Sequence, residues 1–250
     1  MTDEPTPSPS PEASAGDEGP DEGARYRPPR WAWLILVGLA SAAVVVPALA
    51  VDRSVVFADD FSGSSKLGRW TEDADPSGSM GYRDGVYRIS VTQAGQLGSF
   101  TELGGTHGSI RIEVDAAMTS GSGGLSILCT SDIESITENR PGAGGDYYDF
   151  FLAFSADGYA ILRSDNLQSP LAVSQDAQGV LRDGVNRVGV ECVGAAANDP
   201  ARLSLTINGK PVLEYLDHTG VASFDGVGLT VYSEDGAAEA AFDNIKVSRA

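Results

Sequence analysis

The chain has 250 residues and a mass of 26.0 kDa, with 17 Lys and Arg against 35 Asp and Glu, for a formal net charge of −18. That balance excludes sequence-independent nucleic-acid binding, which needs a basic face to replace phosphate counterions. Two cysteines exclude a disulfide-rich miniprotein and a four-cysteine zinc site, while 30 glycines with only 21% charged residues point to a turn-rich β protein.

Three segments with different physics follow in chain order. Residues 1–30 hold seven of the 13 prolines, seven acids and almost nothing that can be buried. Such a stretch cannot recover the roughly 1–2 kcal/mol per residue that backbone ordering costs, so it reads as a disordered, acidic, Pro-rich cytoplasmic tail. Residues 31–51, Trp31 to Val51, are twenty-one in a row without a charge. As a helix they span roughly 31 Å, the thickness of a bilayer core, and predict one transmembrane helix. Arg25, Arg27 and Arg30 precede it and Arg53 alone follows closely, so the positive-inside rule expects a cytoplasmic N-terminus and a single-pass plasma-membrane protein. The rival reading is cleavage after Ala50, since Pro47-Ala48-Leu49-Ala50 has the small-x-small form of a signal-peptidase site. Either way residues 52–250 are expected outside the cytoplasm, anchored or secreted.

From residue 52 onward, period-two runs recur at 87–91, 110–114, 125–129, 148–154, 188–192, 203–207, 227–231 and 242–247. Alternation of this kind buries one face of a sheet and wets the other. Asp-Gly pairs at 84–85, 157–158, 183–184, 225–226 and 235–236, with Asn208-Gly209, supply turn chemistry between them. Short strands, regular turns and no helical pattern predict an all-β sandwich. Cys129 is in phase with Leu125 and Ile127, and Cys192 with Val188 and Val190, so both side chains face the interior. In an oxidising compartment they are expected to pair, closing about 64 residues and stabilising by roughly 4 kcal/mol in the chain-entropy model. Two separate buried thiols are the alternative.

The opening Phe57-Ala-Asp-Asp-Phe61 with Trp70, the run Gly81 to Ile89, the strand-turn-strand Leu203 to Val212 and the closing Phe242-Asp-Asn-Ile-Lys-Val247 resemble concanavalin A-like lectin/glucanase jelly rolls. The likeness extends to laminin-G-like and keto-disaccharide hydrolase-like members. It implies a two-sheet antiparallel jelly-roll sandwich with first and last strands paired. Lectins, glycoside hydrolases and adhesive modules share this fold, so membership does not choose among them.

Chemistry is sparse. Glu113-Val-Asp115 points two carboxylates to one face of a strand and resembles part of the Glu-x-Asp-x-Glu run of family-16-type glucanases, but Ala117 stands where the third acid would be. With Arg111 on the same face, an ordinary solvated stripe is the competing reading. Asp59, Asp60 and Asp243, on first and last strands that the fold would pair, are candidate ligands for a structural calcium, though no ligand-loop spacing is present and strand-edge acids without a metal are the plainer expectation. His107 and His218 stand alone, and no nucleophile elbow, zinc motif or phosphate loop occurs. In Asp146 to Phe154, one face carries Tyr148, Phe150, Leu152 and Phe154 as core, and the other carries Tyr147, Asp149 and Phe151. That aromatic-acid-aromatic row suits a sugar ring and its hydroxyls, with Trp70 as a further candidate, although aromatics packing under loops have the same pattern. The expected function is membrane-anchored, non-catalytic recognition of a cell-envelope glycan. A glycoside hydrolase working through Glu113 and Asp115 and a module binding an envelope protein are the alternatives.

Overall fold

The computed structural model describes residues 54–63, 69–133, 146–154, 158–164, 169–174 and 179–250. The expected tail and the apolar segment 31–51 lie outside the described residues, as does the Asp157 turn. Among the described residues no helix is long and apolar enough to cross a membrane.

Residues 52–250 form one compact unit, and every element named among the described residues is a strand. In chain order these are β1 (Val55–Asp59), β2 (Asp73–Asp75), β3 (Gly78–Arg83), β4 (Val86–Val91) and β5 (Gly95–His107). Next come β6 (Ser109–Ser120), β7 (Gly124–Thr130), β8 (Tyr147–Ala153), β9 (Gly158–Arg163) and β10 (Ala172–Ser174). Then follow β11 (Asn186–Val193), β12 (Ala201–Ile207), β13 (Lys210–Asp217), β14 (Phe224–Ser233) and β15 (Ala238–Ser248). Each period-two run lies on a strand. The period-two runs did not mark β1, β2, β3, β5, β9, β10 or β13, of which the resemblance covered β1, β3 and β13.

Two antiparallel sheets result. The back sheet runs β13-β12-β11-β6-β15-β4-β3-β2, with β1 on the far half of β15, and the front sheet runs β10-β9-β8-β7-β14-β5. The first and last strands pair as the resemblance implied, Phe57 opposite Val247 and Asp59 opposite Ile245. Alternate residues of both sheets point inward. Ile110, Ile112 and Val114 of β6 meet a core that also holds Leu125 and Ile127 of β7, Tyr148, Phe150 and Leu152 of β8, and Val227, Leu229 and Val231 of β14, all fully buried.

Two covalent and polar ties cross this core. Cys129 of β7 and Cys192 of β11 form a disulfide between the front and back sheets. Asp217 of β13 accepts hydrogen bonds from the Tyr148 hydroxyl at 2.9 Å and the Arg163 guanidinium at 2.8 Å, both from the front sheet. Turn chemistry acts largely where expected. Asp84-Gly85 and Asn208-Gly209 take φ of 56° and 78°, and 53° and 78°, the left-handed pair that a two-residue hairpin needs. Asp225-Gly226 does not make a turn. It sits inside β14 at a register shift against β5, where the Asp225 carboxylate accepts the Ile133 amide at 3.2 Å.

Candidate functional site

Strand parity decides where each candidate side chain goes. Because Tyr148, Phe150 and Leu152 face the core, Tyr147, Asp149 and Phe151 of β8 must face outward from the front sheet. There they meet side chains from neighbouring strands with the same parity. Ser126 of β7 is opposite Phe151, and Leu162 of β9 is opposite Asp149. Tyr232 of β14 is opposite Gln96 of β5. Gln96, Ser126, Asp149, Phe151, Leu162 and Tyr232 line an open groove of about 300 Å³. Five adjacent strands thus contribute to one depression.

Two features give the groove its chemistry. The Phe151 and Tyr232 rings meet edge to face, with centroids 6.0 Å apart and planes at 77°. The Phe151 ring reaches this position by lying over Gly124, where a Cβ would come within 2.6 Å of it. Beside this aromatic wall, Asp149 is 8% exposed and its Oδ1 has no hydrogen-bond partner. Burial pushes its carboxyl up to about 6, against the opposing pull of the Ser126 hydroxyl. Tyr147 is half buried and does not line the groove, but it lies near enough for the Asp149 charge, after burial, to raise its phenol.

Glu113 and Asp115 sit elsewhere. They point outward from the back sheet, on the other side of a core about 10 Å thick. Arg187 of β11 pairs with Asp115 at 3.1 Å and with Glu113 at 3.6 Å, and Asn244 donates to Asp115 at 3.0 Å. Arg111 pairs with Glu191 in the same stripe. The solvated-stripe reading describes them, and neither can join Asp149 in one site. A wider depression of about 480 Å³ lies on this face, but its Arg202 is already 3.9 Å from Glu191 and no aromatic side chain among the described residues lines it.

Trp70, expected at a ligand surface, is 2% exposed. It packs with Phe57, Phe61 and Tyr87 at centroid distances of 5.7–6.1 Å, so no ring face is open to a sugar. Asp59, Asp60 and Asp243 serve local turns, accepting the backbone amides of Phe61, Ser62 and Asn244. Among the described residues no group of three metal-ligating side chains comes together. The candidate calcium ligands therefore form no cluster among the described residues.

Sequence reasoning missed Gln96, Ser126, Leu162 and Tyr232. Ser126 carried a readable signal as the polar residue between core positions 125 and 127. Tyr232 continues the alternation of β14 outward, while Gln96 and Leu162 lie on strands the pattern did not mark.

No protein-family model and no curated protein matches this sequence. Solved structures do. A sialidase superposes with a TM-score of 0.54 at 12% identity over 78% of this chain, which spans only 19% of that protein. A Bacillus subtilis protein of unknown function with a galectin-like fold gives 0.53 at 16%, covering 78% of this chain and 96% of its own. The endo-1,3-β-glucanase of Streptomyces sioyaensis gives 0.52 at 12%, covering 80% and 99%. These likenesses show the fold alone, a two-sheet, galectin-like jelly roll.

Proposed function

We propose that this protein is a non-catalytic glycan-recognition module, displayed outside the cytoplasm on a membrane tether, with the β8 groove as its binding site. The observation that carries this reading is Asp149, a buried carboxylate with an unpartnered oxygen at the foot of an aromatic wall. A sugar offers an apolar C–H face for Phe151 and Tyr232 and a hydroxyl donor for Asp149. The structural neighbours named as a glucanase and a sialidase make carbohydrate a natural ligand class for this fold. The tether rests on the uncharged run 31–51 and the arginines before it.

Hydrolysis is disfavoured by arithmetic of carboxylates. A retaining glycosidase needs two about 5–5.5 Å apart, and an inverting one needs two at roughly 6.5–9.5 Å. Among the described residues the groove lining holds one, and the alternate positions on β8 carry Tyr147 and Phe151.

The test uses residues 52–250, which carry their own core. Binding to a panel of cell-wall polysaccharides and β-glucans is measured together with released reducing sugar. Saturable binding without sugar release is expected, weakened about tenfold by Phe151→Ala, equivalent to about 1.4 kcal/mol. Sugar release would replace this reading with a glycoside hydrolase. Absence of binding across the panel would point instead to an envelope protein as partner.

A further inference from the structure

We propose that the β8 groove is built for a glycan bearing a free amino group, with the ammonium seated on Asp149 and the sugar ring against Phe151 and Tyr232. This rests on the reading of the groove as a glycan site and names the class of sugar it takes.

The argument begins with how this fold treats two buried carboxylates. Asp217 is 4% exposed, and it is met by the Tyr148 hydroxyl, the Arg163 guanidinium, the Thr219 hydroxyl and the Thr219 amide. Those bonds hold its pKa below the usual value although burial opposes them. Asp149 is 8% exposed and receives no comparable set, with Oδ1 unpartnered. A buried carboxylate whose own protein leaves it short of donors is met by a proton, a water or a ligand, and only in an open groove does a ligand have access to it.

What arrives is constrained by the surroundings. Among the described residues the groove lining contains no Lys, Arg or His, and Asp149 is the one formal charge. A neutral sugar supplies hydroxyls, each donating one bond. An ammonium supplies three donors and the compensating charge, and charge-assisted bonds are about twice as strong as neutral ones. Acidic sugars meet the reverse, since residues 52–250 carry 28 acids against 14 bases and nothing in the lining offsets them.

Protonation couples to this. The ammonium pairs with ionised Asp149, whose carboxyl titrates at about 6. Asp149 is opposite Leu128 of β7 and Leu162 of β9, shares the groove with Gln96, Ser126, Phe151 and Tyr232, and has Tyr147 beside it on its own strand. Tyr147 and Tyr232 are the titratable ones among them, and none is cationic. Affinity for an amino sugar therefore rises as pH climbs through the Asp149 titration and falls again once the amine loses its proton.

The experiment titrates residues 52–250 by calorimetry with three probes: a fully deacetylated chitosan tetramer, its N-acetylated counterpart and a neutral β-1,3-glucan oligomer. At about pH 6.5 the amino oligomer is expected to bind roughly tenfold more tightly than the acetylated one, with the gap narrowing toward about pH 5. Asp149→Asn should erase the preference while retaining weak binding of all probes. Phe151→Ala should weaken the amino and acetylated probes equally, which separates stacking from charge. Circular dichroism checks that both variants are folded. Equal affinity for the two tetramers, or a preference that survives in Asp149→Asn, overturns the proposal. If neutral and acetylated probes bind and the amine adds nothing, this inference fails alone. If no probe binds, the glycan reading fails with it.

Discussion

Asp149 lies in the interior of a strand yet behaves unlike the core residues on either side of it. Its carboxyl is raised to about 6 by burial, so the folded state holds a proton more tightly than the unfolded chain, whose Asp titrates near 3.9. The sign follows directly. Between those values the native state binds more protons, and stability falls as pH rises through that window. Above about pH 6 the ionised, desolvated side chain costs the fold on the order of 2–3 kcal/mol. Asp149→Asn has nearly the same shape and no charge to desolvate. At about pH 7.5 it is expected to unfold at higher urea than the parent, with the advantage gone below about pH 4. An unchanged or lower midpoint at neutral pH would show that the carboxylate is satisfied in the apo protein. A residue whose removal stabilises the fold is the mark of a site kept for binding.

At the scale of elements, the groove depends on how closely neighbouring strands let a ring approach. Gly124 of β7 has no Cβ, and Phe151 of β8 occupies the space above it. In Gly124→Ala the new carbon would lie 2.4 Å from the Leu152 carbonyl and 2.6 Å from the Phe151 ring. Backbone on one side cannot yield cheaply, so about 1–3 kcal/mol of stability should be lost, read from the denaturant midpoint. Glycan binding should fall beyond what reduced folding explains, because the ring is pushed off its place against Tyr232. Gly228 of β14 plays the same part for Phe100, whose ring a Cβ would approach to 2.6 Å. The hairpin glycines differ. At Gly209, with φ of 78° and open space around it, the cost of alanine is conformational only, about 1 kcal/mol, and binding should be unaffected.

Across the whole molecule, two sheets must stay in register for residues from five strands to converge. The Cys129–Cys192 bond holds them, joining β7 next to the groove with β11 in the back sheet across a sequence separation of 63. Replacing both cysteines by alanine should lower unfolding stability by about 2–5 kcal/mol, measured by urea titration against the oxidised parent. Because both side chains are buried in the core, reductant should attack the bond slowly in the native state and quickly once the domain opens. Retention of full stability in the double variant would mean that the Asp217 network and the apolar core hold the sheets unaided.

Alternation along the chain determined most of the strands and which side chains leave the core, because a strand has a period of two wherever it is placed. The in-phase cysteines and the row Tyr147, Asp149, Phe151 were legible for the same reason. Alternation says nothing about what stands on the next strand. Glu113-Val-Asp115 and Tyr147-Tyr-Asp149 look alike as patterns, and pairing alone placed Arg187 beside the first and left the second with Oδ1 unpartnered in a groove. Trp70 precedes β2 with no periodic signal, and its burial comes from Phe57, Phe61 and Tyr87, brought to it by pairing between strands distant in sequence. Tyr232 lies 81 positions beyond Phe151 and meets it through β7. Which face a side chain takes is thus a local property of the backbone, readable from the amino acids in order. What it meets there is a property of sheet order, which long-range hydrogen bonding and core packing decide together.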